Sequence, residues 1–122
     1  MREVRRLVVI GTGLIGGSVA AAARSAGFAE RVVGVDADPT ALEEGLEAGL
    51  LHATGLPEDL GPDDLVVLAV PTLAVPGALE ELVDDAGVLA GGAVVTDTAS
   101  VKGTVVAALR GLPPAARARF VP

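Results

Sequence analysis

Three glycines and one carboxylate have the types and spacing needed to hold a phosphate-bearing ligand. The segment Gly11-Thr12-Gly13-Leu14-Ile15-Gly16 has GxGxxG spacing, and Asp36 stands twenty residues after Gly16. In this pattern the glycines permit, in turn, a tight bend, close approach of the backbone to a pyrophosphate, and close packing of a helix on a sheet. Unpaired N–H groups and the positive end of the helix dipole then attract the anion. We therefore predict that residues 11–16 bind a dinucleotide; a glycine-rich turn without a ligand is the simpler alternative.

Asp36 indicates which dinucleotide is preferred. A carboxylate at this position can accept hydrogen bonds from the adenosine ribose hydroxyls and would repel a 2′-phosphate. Ala37 and Asp38 follow it, so neither adjacent position offers a compensating cation. The sequence favours NAD over NADP, although Asp36 could instead only cap a turn.

Two further segments are predicted to follow strands at the same edge of the sheet. Val70-Pro71-Thr72 comes after an apolar strand and either contacts the cofactor or simply ends the strand. The segment 96–102 (T-D-T-A-S-V-K) combines three hydroxyls, a carboxylate and an ammonium. Its simplest interpretation is that Asp97 ends a strand and Ser100 caps a helix.

Short apolar runs alternate with Ala-, Leu- and Glu-rich segments along the chain. Strands are predicted at 7–10, 31–36, 64–70, 93–97 and 119–121, with one more short strand within 50–62, and helices at 14–26, 39–48, 76–86 and 101–110. Strands without a polar face are typical of parallel sheets covered on both sides. We predict a doubly wound α/β (Rossmann) domain over residues 1–122, with about six parallel strands and helices on both faces.

Composition excludes several classes of function. The 122 residues carry a net charge of −7, contain no Cys and include a single His. The acidic balance argues against a nucleic-acid partner, and the missing thiols argue against disulfides and a structural zinc site. The uncharged run 7–23 after three arginines resembles a secretory signal, but four glycines interrupt it. We expect a cytoplasmic protein with no bound metal and no membrane contact.

The remaining titratable residues carry no catalytic pattern. His52 lies in an irregular stretch without a neighbouring Ser or Asp to activate it, so a structural role is predicted. The acidic pairs at 43–44, 80–81 and 84–85 have the pattern of solvated helix faces.

Taken together, these motifs resemble the N-terminal cofactor domain of prephenate/arogenate dehydrogenases. The resemblance is carried by 8–18 (V-V-I-G-T-G-L-I-G-G-S), 34–36 (G-V-D), 68–71 (L-A-V-P) and 96–102, of which the last is the most specific. It implies NAD(P)-dependent oxidative decarboxylation of prephenate or arogenate in tyrosine biosynthesis. It also implies a catalytic role for Ser100 beside the substrate hydroxyl. Thr98 and residues 70–72 (Val70, Pro71 and Thr72) would lie along the cofactor.

Other parts of that family are not found in these residues. The chain ends at Phe120-Val121-Pro122, where a Gly-His-Pro segment with the proton-accepting histidine would begin, and His52 does not match it. We also expect the helical C-terminal domain, which the resemblance associates with a homodimer, to lie outside these residues. We therefore expect little turnover from this chain alone.

Three alternatives stay open. A β-hydroxyacid dehydrogenase or an imine reductase should lack the segment 96–102. A non-catalytic NAD-sensing module would make Ser100 incidental. A methyltransferase that binds S-adenosylmethionine would have a looser glycine loop than Gly16-Gly17 provides.

Overall fold

The protein is described by a computed structural model that covers residues 4–84, 92–98, 110, 118, 120 and 121. Within these residues, six parallel strands form one sheet in the order β3-β2-β1-β4-β5-β6. The strands are β1 (Val4–Ile10), β2 (Ala29–Val35), β3 (Ala53–Thr54), β4 (Asp64–Leu68), β5 (Val94–Asp97) and β6 (Phe120–Val121). The helices are α1 (Leu14–Ala26), α2 (Pro39–Glu47) and α3 (Val75–Asp84), and a 3₁₀ turn covers Thr72–Ala74. The predicted doubly wound parallel sheet is confirmed.

Alternating residues of the central strand explain why the strands have no polar face. Leu7 and Val9 pack with Ala20 of α1 on one side of the sheet. Val8 packs with Leu79 of α3 on the other side. Because both faces are covered, every position of β1 from 7 to 9 is buried and must be apolar.

Local signals placed both ends of α1 and the beginning of α2 correctly. Gly27 closes α1 in the left-handed conformation, with φ of 63°. Asp38 caps α2, because its Oδ1 accepts a hydrogen bond of 3.0 Å from the N–H of Thr40, and Pro39 is the first helical residue. The uncharged run 7–23 divides between β1 and α1. In the part of the chain that the structure describes, no helix is long and apolar enough to cross a membrane.

Several predicted boundaries were wrong. β1 begins at Val4 and β2 at Ala29, because these two residues pair in the sheet. β4 ends at Leu68, so Val70 belongs to the loop that Pro71 continues. The helix predicted from Pro76 begins at Val75. The helix predicted at 101–110 lies almost entirely outside the described residues.

A buried ion cluster joins the amino ends of β1 and β4. The side chain of Asp64 is fully buried, and its carboxylate accepts hydrogen bonds from both neighbouring arginines of β1. Oδ2 lies 3.0 Å from Nη2 of Arg5 and 3.0 Å from Nη2 of Arg6, while the N–H of Gly61 donates to the same oxygen at 2.8 Å. Arg6 also donates to Asp59 at 2.8 Å. The cluster ties the two central strands together at the edge opposite the glycine loop.

Candidate cofactor site

The glycine loop lies at the carboxyl end of β1 and turns between β2 and β4. Gly11 has φ of +93°, and its N–H donates to the carbonyl of Val35 at 2.7 Å. A Cβ at Gly11 would lie 2.7 Å from the carbonyl oxygen of Ala69. The predicted tight bend is therefore present, and only glycine meets both its backbone conformation and its close neighbour.

The other two glycines differ in what surrounds them. A Cβ at Gly16 would collide with the carbonyl oxygen of Gly11, so α1 can approach the loop only because this position has no side chain. Apart from its own chain neighbours, no atom of the described residues lies within 4 Å of the place that a Cβ at Gly13 would take. Gly13 thus presents open backbone at the amino end of α1, where an anion is favoured.

Asp36 is bound to the glycine loop and also supports a turn. Its Oδ2 accepts the N–H of Thr12 at 2.7 Å and the hydroxyl of Thr12 at 3.0 Å. Its Oδ1 accepts the N–H of Asp38 at 2.9 Å. Burial raises the pKa of Asp36, but these hydrogen bonds outweigh it and hold the pKa below its ordinary value. The carboxylate is therefore ionised at neutral pH, and it does more than cap a turn.

A cavity of about 470 Å³ opens beside Asp36 at the carboxyl edge of the sheet. Its wall is mostly apolar, and Asp36 is the charged residue in it. The side chain of Leu73, which is 88% exposed, stands at its border. The lining residues are Ile10, Gly11, Val35, Asp36, Ala37, Val70, Leu73, Ala74, Gly77 and Ala78. An apolar wall with one fixed carboxylate suits a flat aromatic ring joined to a sugar.

The structure brings only some of the predicted site residues to this cavity. Val70 lines it, whereas the carbonyl of Pro71 accepts the N–H of Ala74 at 2.8 Å and so starts the 3₁₀ turn. Thr98 donates its N–H at 3.0 Å to the carbonyl of Leu68, and its hydroxyl makes a longer contact of 3.4 Å with the same oxygen. Thr98 therefore fixes the loop after β5 to the end of β4.

The structure describes only part of the remaining predicted site residues. Ile15 is exposed near the amino end of α1. Ser100 and the side chains of Leu14 and Thr72 lie outside the described part of the structure. The sequence did not predict the contact of Thr12 with Asp36, because the two residues are 24 positions apart. It also did not predict that Ala37, Leu73 and Gly77 line the cavity, because small and aliphatic residues do not indicate a particular chemistry.

His52 lies away from this edge and is structural, as predicted. The ring Nδ1 of His52 accepts a hydrogen bond from the backbone N–H of Val32 at 2.9 Å. The backbone N–H of His52 donates to the carbonyl of Val32 at 2.8 Å. The side chain thus extends the pairing between β2 and the segment before β3. Among the described residues, no group of three His, Asp or Glu side chains could hold a metal ion.

Comparison with known proteins agrees with this geometry. The family model of the prephenate dehydrogenase nucleotide-binding domain matches residues 19–122. The chain belongs to this family. The match begins after the glycine loop and includes Asp36, the segment 70–72 and the segment 96–102. A comparison with curated proteins gives no match.

Solved structures extend the family likeness to almost the whole chain. A prephenate dehydrogenase from A. aeolicus, in complex with hydroxyphenyl propionate and NAD+, shares 28% identity over 95% of this chain and 40% of its own, with a TM-score of 0.78. Another structure of prephenate dehydrogenase from Aquifex aeolicus shares 29% identity over 93% of this chain and 40% of its own, with a TM-score of 0.76.

A more distant structure shows the fold alone. The minor L-lactate dehydrogenase from Enterococcus mundtii has a TM-score of 0.60 at 20% identity, and the match covers 92% of this chain and 44% of that one. The present chain thus spans about 40% of the length of the two Aquifex chains that it matches. It corresponds to a nucleotide-binding domain and leaves the greater part of those chains without a counterpart.

Proposed function

We propose that this domain binds NAD in the cavity beside Asp36, with the pyrophosphate on the open backbone of the glycine loop. The observation that carries the proposal is an ionised carboxylate, fixed at the border of a largely apolar cavity, next to a helix end whose Gly13 leaves room for an anion. The N–H groups at the start of α1 would bind the pyrophosphate. Asp36 would accept a ribose hydroxyl. The structure solved with NAD+ in the same family supports this choice of cofactor.

The charge around Asp36 supports NAD over NADP. A 2′-phosphate placed there would meet two carboxylates, those of Asp36 and Asp38, which are linked by the hydrogen bond from the N–H of Asp38. Like charges brought together in a partly buried site oppose binding, and this penalty acts on NADP alone.

We expect this chain to bind NADH at least about tenfold more tightly than NADPH. Nicotinamide fluorescence measures both dissociation constants, and the absence of Trp and Tyr removes interfering protein emission. Asp36→Asn should reduce the ratio of the NADPH dissociation constant to the NADH dissociation constant. Asp63 is exposed at the opposite edge of the sheet, so Asp63→Asn should leave this ratio unchanged. Failure of a folded chain to bind either nucleotide would overturn the proposal.

We also propose that the protein containing this domain oxidises and decarboxylates prephenate or arogenate, a step of tyrosine biosynthesis. The family match and the segment 96–102 support this reaction. When bound, NAD would accept the hydride from the ring carbon that bears the hydroxyl. Among residues of this chain, Ser100 is proposed to contact that hydroxyl, and Thr98, Pro71 and Thr72 are proposed to lie along the cofactor.

A chain extended by its substrate domain tests this activity. With NAD and prephenate or arogenate, we expect formation of NADH and release of carbon dioxide. Ser100→Ala should lower kcat/KM by at least about 100-fold if the hydroxyl acts on the reacting group, with the NADH dissociation constant unchanged. Unchanged turnover in Ser100→Ala would remove Ser100 from the catalytic machinery, and binding without turnover by the extended wild type would favour a sensing module.

A further inference from the structure

Thr12 holds the carboxylate of Asp36 with two donors from one residue. Its N–H and its hydroxyl both reach Oδ2, at 2.7 and 3.0 Å. We propose that Thr12 is a positioning residue that sets the cofactor preference of the domain by fixing Asp36 at the border of the cavity. This inference rests on the proposed function, because it concerns the same nucleotide site.

The rotamer of Thr12 is itself fixed by packing. A Cβ at Gly34 would lie 3.1 Å from Cγ2 of Thr12 and 2.5 Å from Cδ1 of Leu51. The methyl group of Thr12 therefore lies against the backbone of β2 beside Leu51, in space that is free only because residue 34 is glycine. With the methyl group held there, the hydroxyl points toward Asp36.

The two oxygens of Asp36 then have different tasks. Oδ2 accepts both donors of Thr12, and a carboxylate oxygen has about two acceptor positions. Among the described residues, Oδ1 accepts a hydrogen bond from the N–H of Asp38 at 2.9 Å, and the N–H of Ala37 adds a weaker interaction with the carboxylate. Oδ1 is therefore the oxygen that would accept a hydrogen bond from a ribose hydroxyl. Thr12 sets the direction of Oδ1 by holding Oδ2, the other oxygen of the carboxylate.

A fixed carboxylate discriminates more strongly between NADH and NADPH than a mobile carboxylate does. When Oδ2 is anchored, Asp36 cannot turn into solvent to relieve the repulsion from a 2′-phosphate. Without the Thr12 hydroxyl, one anchor remains at Oδ2 and the carboxylate gains rotational freedom. NADH would then lose an oriented acceptor, while NADPH would lose part of its penalty.

Thr12→Val and Thr12→Ser test the role of the hydroxyl. Valine keeps the N–H and the methyl packing, so only the hydroxyl contact is lost, whereas serine keeps the hydroxyl. We expect Thr12→Val to raise the NADH dissociation constant about fivefold, as for the net loss of one ordinary hydrogen bond. The preference for NADH over NADPH, measured as the ratio of the two dissociation constants, should fall by about the same factor or more. Thr12→Ser should recover most of the wild-type ratio.

Thr40→Val is the matched control, since Thr40 is exposed on α2 and its side chain makes no described contact with Asp36. It should keep the wild-type ratio. Equal weakening of both nucleotides in Thr12→Val, or an unchanged ratio, would overturn the inference, as would a serine variant that behaves like valine. If the wild type bound neither nucleotide, the proposed function itself would be overturned. Failure of the inference about Thr12 and failure of the proposed function therefore give different results.

Discussion

Gly16→Ala is expected to destabilise the domain by more than about 3 kcal/mol and to abolish measurable NADH binding. The added Cβ would collide with the carbonyl oxygen of Gly11 and would also lie 3.2 Å from Cγ1 of Val9. A backbone carbonyl within the glycine loop cannot move aside as the end of a flexible side chain can. Relief therefore requires that α1 separate from the loop, which would disrupt the proposed anion site.

Two neighbouring glycines provide matched controls for this variant. A Cβ at Gly17 would meet only the carbonyl oxygen of Thr12 at an ordinary 3.8 Å, so Gly17→Ala should stabilise α1 by about 0.5–1 kcal/mol. Gly13→Ala should cost no more than about 1 kcal/mol as a change of the N-cap residue, yet it should weaken NADH binding by placing a methyl group against the pyrophosphate.

Urea unfolding followed by circular dichroism gives the free energies of unfolding for all three glycine variants, and nicotinamide fluorescence gives their affinities. Steric exclusion predicts opposite changes in stability for Gly16→Ala and Gly17→Ala. A Gly16→Ala variant as stable as the wild type would show that α1 does not need its close approach to the loop.

Asp64→Asn is expected to lower the free energy of unfolding by about 3–5 kcal/mol at neutral pH, because it leaves two arginines facing a neutral amide. The carboxylate is fully buried, and Arg6 has only 14% of its side chain exposed. Asp59→Asn is the matched control. Asp59 is 79% exposed, and Arg6 is its ion-pair partner among the described residues, so the loss of this carboxylate should cost no more than about 1 kcal/mol.

The pH dependence of stability provides a second readout for Asp64. Burial raises the pKa of Asp64, but the hydrogen bonds from Arg6, Arg5 and Gly61 outweigh it and hold the pKa far below its ordinary value. Such a carboxylate stabilises the fold fully above its unfolded-state pKa of about 3.9 and loses this effect as the pH falls toward its folded-state pKa.

The wild type should therefore lose stability steeply as the pH falls below about 4, and Asp64→Asn should lose less over the same range. Urea unfolding of both proteins between neutral and acidic pH measures the two slopes. Parallel slopes would mean that Asp64 does not dominate the acid sensitivity. NADH affinity should be nearly unchanged in Asp64→Asn wherever the domain is folded, because the cluster and the glycine loop lie at opposite edges of the sheet.

The parts of this molecule that the sequence predicted are those with local causes. The turn at Gly11, the end of α1 before Gly27 and the beginning of α2 after Asp38 each depend on a few consecutive residues. The doubly wound parallel sheet also followed, because uninterrupted apolar strands separated by helices leave few alternatives to it.

The features that the sequence did not predict depend on partners far apart along the chain. Arg5 and Arg6 looked like the basic start of a signal segment, since nothing near them indicated Asp64. Thr12 occupies a position of the glycine motif that tolerates many residue types, and its partner Asp36 is 24 residues away. Only the pairing of the strands brings these residues together.

The shortness of β3 affects how the domain can associate. A sheet can be extended at its edge strand, where backbone donors and acceptors are not paired with another strand. Long, flat edge strands promote fibril formation. The edge strand β3 is only two residues long, and Gly55, with φ of +93°, turns the chain away from the sheet immediately after it. Strand addition on this side would find almost no template. At this edge, molecules of this protein should therefore associate through side-chain surfaces, such as the one that bears Leu73, rather than by adding strands to the sheet.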